Sequence, residues 1–349
     1  MRKLLICAAA LGGFAASAHA ADLGIDSLKD PLPDTLTYKG ITIYGTGDVG
    51  YAYQSAGLPY SATFFPGLSW ITNGGPGYRS ISTLTNNAAS LSEIGVKVEE
   101  SLGMGFVAIA KAGTGFNPLG GELADACKAK IQAATLAASG HTPTASGEGP
   151  LCGQALNTEV YGGLSNSAYG TLTIGRHASL MNEGVGNYDP NHGSFAFSLI
   201  GYAGPYAAGM GQSETALWDS SIKYTYKYGP LHASVLYSDG GDGTSLLGWG
   251  VGANAGFTWK GLSVDGYYTK QNAAVGFDGG VPFTANQLWY HVTNDQGYSV
   301  MGKYTFDLGR SFKDEAPAAK LTTFAGYVYL DVGNPDKSQA SYAGNNFAG

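Results

Sequence analysis

The sequence predicts an all-β fold, a transmembrane antiparallel β-barrel, on three observations. Period-two alternation of apolar and polar residues recurs between residues 40 and 331. The connections between the alternating segments are themselves sorted into short and long. Beyond residue 20 no apolar run reaches the roughly 18 residues of a helical span. An exported chain of this kind can enter a bilayer only as a closed barrel, because nothing else without helices satisfies every backbone group there.

Residues 1–20 set the compartment. Arg2 and Lys3 form a basic start, Leu4 to Phe14 an apolar stretch, and Ala18-His19-Ala20 a small-x-small cleavage site. This is a secretory signal peptide cut before Ala21. A retained anchor is the alternative, but the apolar stretch is too short to span. Cys7 lies too early, and inside the apolar stretch, to be an acylation site. Cleavage removes two cations and no acid, so the formal charge moves from −7 to −9. Acidic and scattered charge without a Lys/Arg cluster excludes a nucleic-acid partner. The 54 glycines and 23 tyrosines, with charged residues at only 13%, suit a sheet protein with aromatic belts. Residues 21–39, with Pro31 and Pro33 and no periodicity, read as a periplasmic extension. Residues 40–349 read as the barrel domain.

The first strand covers 40–54: Ile41, Ile43, Val49, Tyr51 and Tyr53 share one face, against Thr42, Tyr44, Thr46 and Asp48. Strands follow near 90–100, 104–116, 156–165 and 170–176. The segment at 214–229 holds the cleanest pattern, with Ile222, Tyr224, Tyr226 and Tyr228 opposite Lys223, Thr225 and Lys227. The remaining strands are 230–238, 247–260, 261–271, 297–307 and 320–331. Alternation alone would also suit a soluble sandwich. The linkers decide. Ser101-Leu102-Gly103, Asn166 to Tyr169, Gly229-Pro230 and Lys260-Gly261 are short, and 308–319 is longer. The intervening 55–89, 117–155, 177–213 and 272–296 are long, with 239–246 a shorter exception. Short turns at one rim and long loops at the other are the layout of an outer-membrane barrel. Eleven strands are odd where such barrels are even. Asn345 to Gly349 reads as a loop, so the chain is expected to be a barrel incomplete at its C-terminus.

Several stretches resemble the general diffusion porins of Gram-negative outer membranes, in the form common among alphaproteobacteria. They are Gly40-Ile41-Thr42-Ile43-Tyr44-Gly45, Ser92-Glu93-Ile94-Gly95-Val96-Lys97 and Tyr161-Gly162-Gly163-Leu164-Ser165. Tyr169 to Arg176, Ser220 to Tyr224 and the loop segment Gly193 to Tyr202 continue the series. The resemblance implies sixteen strands in the full protein, a homotrimer in outer-membrane lipid, and a third loop folded into the lumen. It implies passive diffusion of small hydrophilic solutes and ions, with no cofactor. In that family, acids on the third loop face a ladder of wall arginines. Here the strand-two position holds Glu93, the position before Tyr161 holds Thr158 flanked by Glu159, and Leu217 precedes the Lys223 strand. The wall cations are then Lys97, Lys111 and Lys223, with Arg176 at the entry to the third loop. Glu183 and Asp189, the acids of 177–213, are either constriction residues that attract cations or solvated loop residues away from it. Glu93 shares a strand face with Gly95 and Lys97, so alternation points it into water. A cation-preferring pore is the expectation. Parity leaves Glu159 open between the lumen and a trimer contact.

Cys127 and Cys152 lie in one long loop of an exported chain, where a disulfide is expected. Chain entropy credits such a loop with roughly 3 kcal/mol. A metal site is the alternative, but no histidine pair with ligand spacing accompanies them, and none is expected. An enzyme is disfavoured, since no Gly-x-Ser-x-Gly occurs and no histidine falls in a hydrolase motif. His232 falls on the polar face of its strand. A substrate-specific channel or a plugged structural or adhesive barrel remain the other readings. Tyr44 and Tyr267 point inward by alternation, and two tyrosines make no binding track.

Overall fold

The structure is a computed structural model that describes residues 36–57, 79–86, 89–123, 155–191, 217–239, 249–272, 294–309 and 319–333. Residues 1–20, read above as a signal peptide, Cys127 and Cys152, and the Gly193–Tyr202 segment lie outside the described residues. Fifteen strands appear among them. In chain order they are β1 (Leu36–Tyr38), β2 (Ile41–Thr46), β3 (Val49–Gly57), β4 (Arg79–Asn86), β5 (Glu93–Gly103), β6 (Phe106–Asn117), β7 (Glu122–Leu123) and β8 (Val160–Asn166). They continue as β9 (Gly170–Ala178), β10 (Leu217–Tyr228), β11 (Leu231–Ser238), β12 (Gly250–Trp259), β13 (Leu262–Gln271), β14 (Asn294–Asp307) and β15 (Lys320–Gly333). One helix, α1 (Leu180–Tyr188), falls between β9 and β10.

Twelve strands form the path of one sheet in the order β1, β2, β5, β6, β8 and then β9 to β15, with β7 paired to β6 and β3–β4 a separate two-stranded sheet. Each strand on the path lies beside its predecessor, and the registers of the described pairs are antiparallel. This meander is the wall of a β-barrel. The tight turn between β12 and β13 shows why the short rim is possible. Lys260 and Gly261 both have positive φ, at 47° and 86°, the two-residue turn whose twist matches that of the strands it joins.

The faces are polarised opposite to a soluble sheet. On β9, Thr173 is 5% exposed and its neighbour Ile174 is 59% exposed. Ser221, Ser234, Ser263, Asp265, Thr269 and Ser299 are buried on the same side as Thr173, while Ile222, Tyr224, Val235, Val300 and Tyr327 are exposed on the other. Apolar outside and polar inside is what a lipid-facing wall around water requires. Among the outer tyrosines, Tyr268 and Tyr298 lie 5.2 Å apart and Tyr298 and Tyr329 6.4 Å apart. The Gln296 amide donates to the Tyr268 hydroxyl at 3.2 Å. Such a wet-edged aromatic cluster belongs at a membrane interface.

The long loops hold structure that alternation did not reveal. Residues 79–86, read above as part of one loop, form β4 against β3, so Tyr51 and Tyr53 lie on β3 rather than on a wall strand. Asp48 stitches this hairpin to the wall. Its carboxylate accepts from the N–H groups of Ala89 and Ser90 at 2.6 and 2.7 Å, and its own N–H donates to Ser92 Oγ at 2.8 Å. Leu36–Tyr38, within the segment read as an aperiodic extension, is a strand.

Helix α1 makes the apolar core, and that core is on the inner face of the wall. Leu180, Met181, Val185 and Tyr188 pack with Trp218, Leu236, Tyr267 and Met301. The helix contacts β11 to β15. Glycines clear its seat. A Cβ on Gly184 would lie 2.7 Å from the Tyr267 ring, and one on Gly250 would lie 2.9 Å from the Trp218 ring. Leu180 lies directly over Gly252.

Gly256 clears a path of another kind, since an added Cβ would collide with the Asp265 carboxylate and the Val264 carbonyl. Gly256→Ala is therefore expected to lower stability by about 1–3 kcal/mol, the usual cost of overpacking. At Gly266 the nearest atoms stand 3.9 Å away, so Gly266→Ala is expected to stay within about 0.5 kcal/mol. Urea unfolding of the two refolded variants in lipid vesicles, followed by tryptophan fluorescence, checks the contrast.

Candidate functional site

The inner face carries its charges mainly on β5, β6, the approach to β8, and β10, and it carries them in rows. Thr42, Lys97, Lys111, Tyr161 and Gly175 stand opposite one another across five strands. Lys97 and Lys111 are thus directly cross-strand, a like-charge pairing that destabilises a sheet unless something offsets it. Two groups do. The Tyr44 ring lies under both ammoniums, 4.9 Å from Lys97 Nζ and 5.6 Å from Lys111 Nζ. Glu159 pairs with Lys111 at 2.5 Å and also accepts from the Ala178 N–H at 3.3 Å. Glu159 therefore faces the lumen side, which strand parity left open.

Tyr44 can lie flat because the wall beneath it has no side chains. Gly95 and Gly113 follow it in register, and a Cβ on Gly113 would stand 2.7 Å from the Tyr44 hydroxyl. That hydroxyl donates to Glu93 Oε1 at 2.6 Å, and the Thr158 hydroxyl donates to the same oxygen at 2.7 Å. Both Glu93 partners are neutral, so its charge is oriented without being cancelled.

Helix α1 faces this wall from the other side. Ser179 caps it by accepting from the Asn182 N–H at 3.1 Å, and Glu183 stands in the first turn, where a carboxylate suits the helix dipole. Glu183 reaches across to β10 and pairs with Lys223. Carboxylates and ammoniums then alternate along the described inner face as Glu93, Lys111, Glu159, Lys223 and Glu183, with Lys97 beside Tyr44.

Two sequence candidates are placed elsewhere. Asp189 is fully buried, 0% exposed, and closes α1 as its C-cap, its N–H donating to the Val185 carbonyl. A side chain withdrawn from water in this way presents no charge to the lumen. Arg176 is likewise buried, at 6% exposure. Its guanidinium pairs with Asp219 and donates to the carbonyls of Thr158 and Asn157 at 2.9 and 3.2 Å. It ties the approach to β8 onto β9 and β10 rather than lining the passage. His177 is also taken up internally, stacked on Tyr161 at 4.9 Å between rings and bonded to Ser221 and Thr173 at 2.8 Å each.

What sequence reasoning missed is the polar seat of the helix on β11 and β13. Tyr188 donates to Asp265 Oδ2 at 2.6 Å and bonds Ser263 Oγ at 2.7 Å. His232 Nε2 lies 2.5 Å from Asp265 Oδ1. The signals were that Ser263, Asp265 and Tyr267 share a strand face and that His232 falls on the polar face of its own strand.

Residues 7–346 match the model of a family described as Gram-negative porin. An outer membrane porin protein of Bordetella pertussis is 23% identical over 316 residues, which cover 88% of this chain and 67% of that one. Among solved structures, an anion-selective porin from Comamonas acidovorans has a TM-score of 0.50 and 18% identity, covering 84% of this chain and 68% of its own. That likeness concerns the fold alone.

The Glu183–Lys223 pair is the one ion pair described between α1 and the wall, so its two members test the constriction directly. Glu183→Gln leaves the Lys223 ammonium without its carboxylate. The anion-to-cation permeability ratio is expected to rise about two- to fivefold, the scale of one unit charge acting near 4 Å in water. Reversal potentials in a salt gradient measure it.

Proposed function

We propose that this chain, which belongs to the Gram-negative porin family and resides in the outer membrane, forms a water-filled channel for passive diffusion of small hydrophilic solutes and ions. The observation that carries the reading is the inverted polarity of the wall combined with the position of α1. A polar inner face belongs to a water-filled channel or to a plugged lumen, and here the helix lies against only part of it. The helix covers the β11–β15 side of that face and leaves the charged rows of β2 to β10 on the other. A passage between them would be bounded by Glu183 and Lys223 and lined by Tyr44, Glu93, Lys97, Lys111 and Glu159.

Ion preference follows from which of those charges are cancelled, since charged rings set selectivity in pores. Lys111 and Lys223 each meet a carboxylate. Glu93 accepts from hydroxyls, and Lys97, the remaining cation of the series, lies over the Tyr44 ring, so the preference is the small difference that the Glu93 carboxylate makes. The reading is a weak preference for cations with Glu93 as the residue that sets it. Alternating fixed charges of both signs would let neutral solutes and ions of either sign pass, as a general pore needs. Assembly as a homotrimer in outer-membrane lipid, and a Cys127–Cys152 disulfide in the extracellular loop, complete the proposal. The trimer rests on the family, and the disulfide on the oxidising compartment.

The test is the reversal potential of the purified protein in a planar bilayer under a KCl gradient. Stepwise conductance with mild cation preference is expected, and Glu93→Gln is expected to erase most of that preference while leaving conductance near that of the parent. Anion preference in the parent would overturn the assignment of Glu93. A folded barrel that conducts nothing would overturn the pore.

A further inference from the structure

We infer that Asp265 is a positioning residue of the constriction: this wall carboxylate fixes where the C-terminal half of α1 stands in the lumen, and with it the width of the passage. The Glu183–Lys223 pair ties the first turn of the helix. The inference rests on the diffusion-pore reading above and adds a residue that reading does not use. Asp265 lies on β13 and is 5% exposed. Three groups converge on it. The Tyr188 hydroxyl, at the last residue of α1, donates to Oδ2 at 2.6 Å. The Tyr267 hydroxyl donates to the same oxygen at 3.1 Å. His232 reaches Oδ1 from β11 at 2.5 Å.

The route from His232 to Asp265 exists because of one residue. His232, Gly256 and Asp265 stand in register on three successive strands. A side chain on Gly256 would occupy the space in which the carboxylate lies. Two strands on either side of β12 therefore hold the carboxylate in one orientation, with Oδ2 left toward the helix.

That orientation acts on α1 at two points. Tyr188 is bonded directly. Tyr267, whose hydroxyl is fixed by the same Oδ2, supports the middle of the helix, since its ring packs against Gly184. The apolar contacts of Leu180, Met181 and Val185 hold the helix against the wall, but burial is non-directional. It does not fix how far a helix slides or turns on a surface. A short hydrogen bond to a charged, buried acceptor does. A second tie at the same end, Lys303 Nζ donating to the Asn187 carbonyl at 2.9 Å, is exposed to water, where such contacts contribute little.

The experiment compares Tyr188→Phe, Asp265→Ala, the double variant and Asp265→Asn in protein purified from outer membranes. Heat-modifiable gel mobility selects the folded barrel of each. Tyr188→Phe changes no charge, so an effect it shares with Asp265→Ala is not electrostatic. Amide hydrogen exchange within residues 183–189 is expected to quicken on the order of tenfold in both single variants. Open-channel current noise and the swelling of liposomes in oligosaccharides near the size limit are expected to rise several-fold. The double variant should fall short of the sum of the singles, because both remove the Tyr188–Asp265 bond, although Tyr188→Phe also removes the bond to Ser263 and Asp265→Ala also removes those of Tyr267 and His232. Asp265→Asn, which keeps an acceptor oxygen, should restore most of the parent behaviour. Parent-like exchange and noise in Tyr188→Phe, or additive effects in the double variant, would overturn the inference. A parent protein that does not conduct would sink the pore reading alone, because hydrogen exchange still reports whether Asp265 holds the helix.

Discussion

The seating of α1 against the wall orders the described inner face, and it depends on close approach at glycines as well as on the polar ties of the helix. Gly250 and Gly252 lie beneath Trp218 and Leu180, and Gly184 on the helix itself yields to the Tyr267 ring. Close approach of this kind lets a nine-residue helix bury four large apolar side chains on a surface that is otherwise polar. Each Leu- or Met-sized burial contributes about 1.5–3 kcal/mol. That offsets the poor intrinsic helicity of a segment with two glycines and two asparagines, where each glycine alone costs about 1 kcal/mol. The helix is thus a product of its seat, not of its own sequence.

The same device recurs where charge is handled. Tyr44 lies flat over Gly95 and Gly113, which brings its hydroxyl to Glu93 and its ring beneath two lysines. His232 reaches Asp265 across Gly256. In both cases an empty inner-face position converts the two-residue repeat of a strand into a lateral channel along a register row. Polar side chains then meet across three strands rather than standing apart as a comb of isolated charges. Lys97 opposite Lys111 would destabilise a bare sheet. With Tyr44 and Glu159 in place it becomes part of an alternating series that runs to Lys223 and Glu183.

Much of this was written in the sequence. All eleven alternating segments are strands or contain them, and the shifts at their ends amount to a few residues. The side to which Tyr44, Glu93 and Tyr267 point followed from parity alone. Residues 79–86 escaped because β4 pairs with β3 outside the wall and has no lipid face to impose a pattern. Asp189 and Arg176 escaped for a different reason. A loop acid and a strand-end arginine carry the same letters whether they face water or are consumed as a cap and a clamp.

The sequence by itself determined the period of the strands, the sorted turns and hence a membrane barrel, because these follow from local chemistry, an alternation that repeats every two residues and the turn residues that interrupt it. Tertiary structure alone decided which charges meet. Glu159 found Lys111, Glu183 found Lys223, and Asp265 drew in Tyr188, Tyr267 and His232. Apart from Tyr267, two residues from Asp265 on the same strand face, those partners are separated by 33 to 77 residues along the chain, and no local pattern encodes them. They are brought together by strand register and by the vacant positions over which side chains can lie.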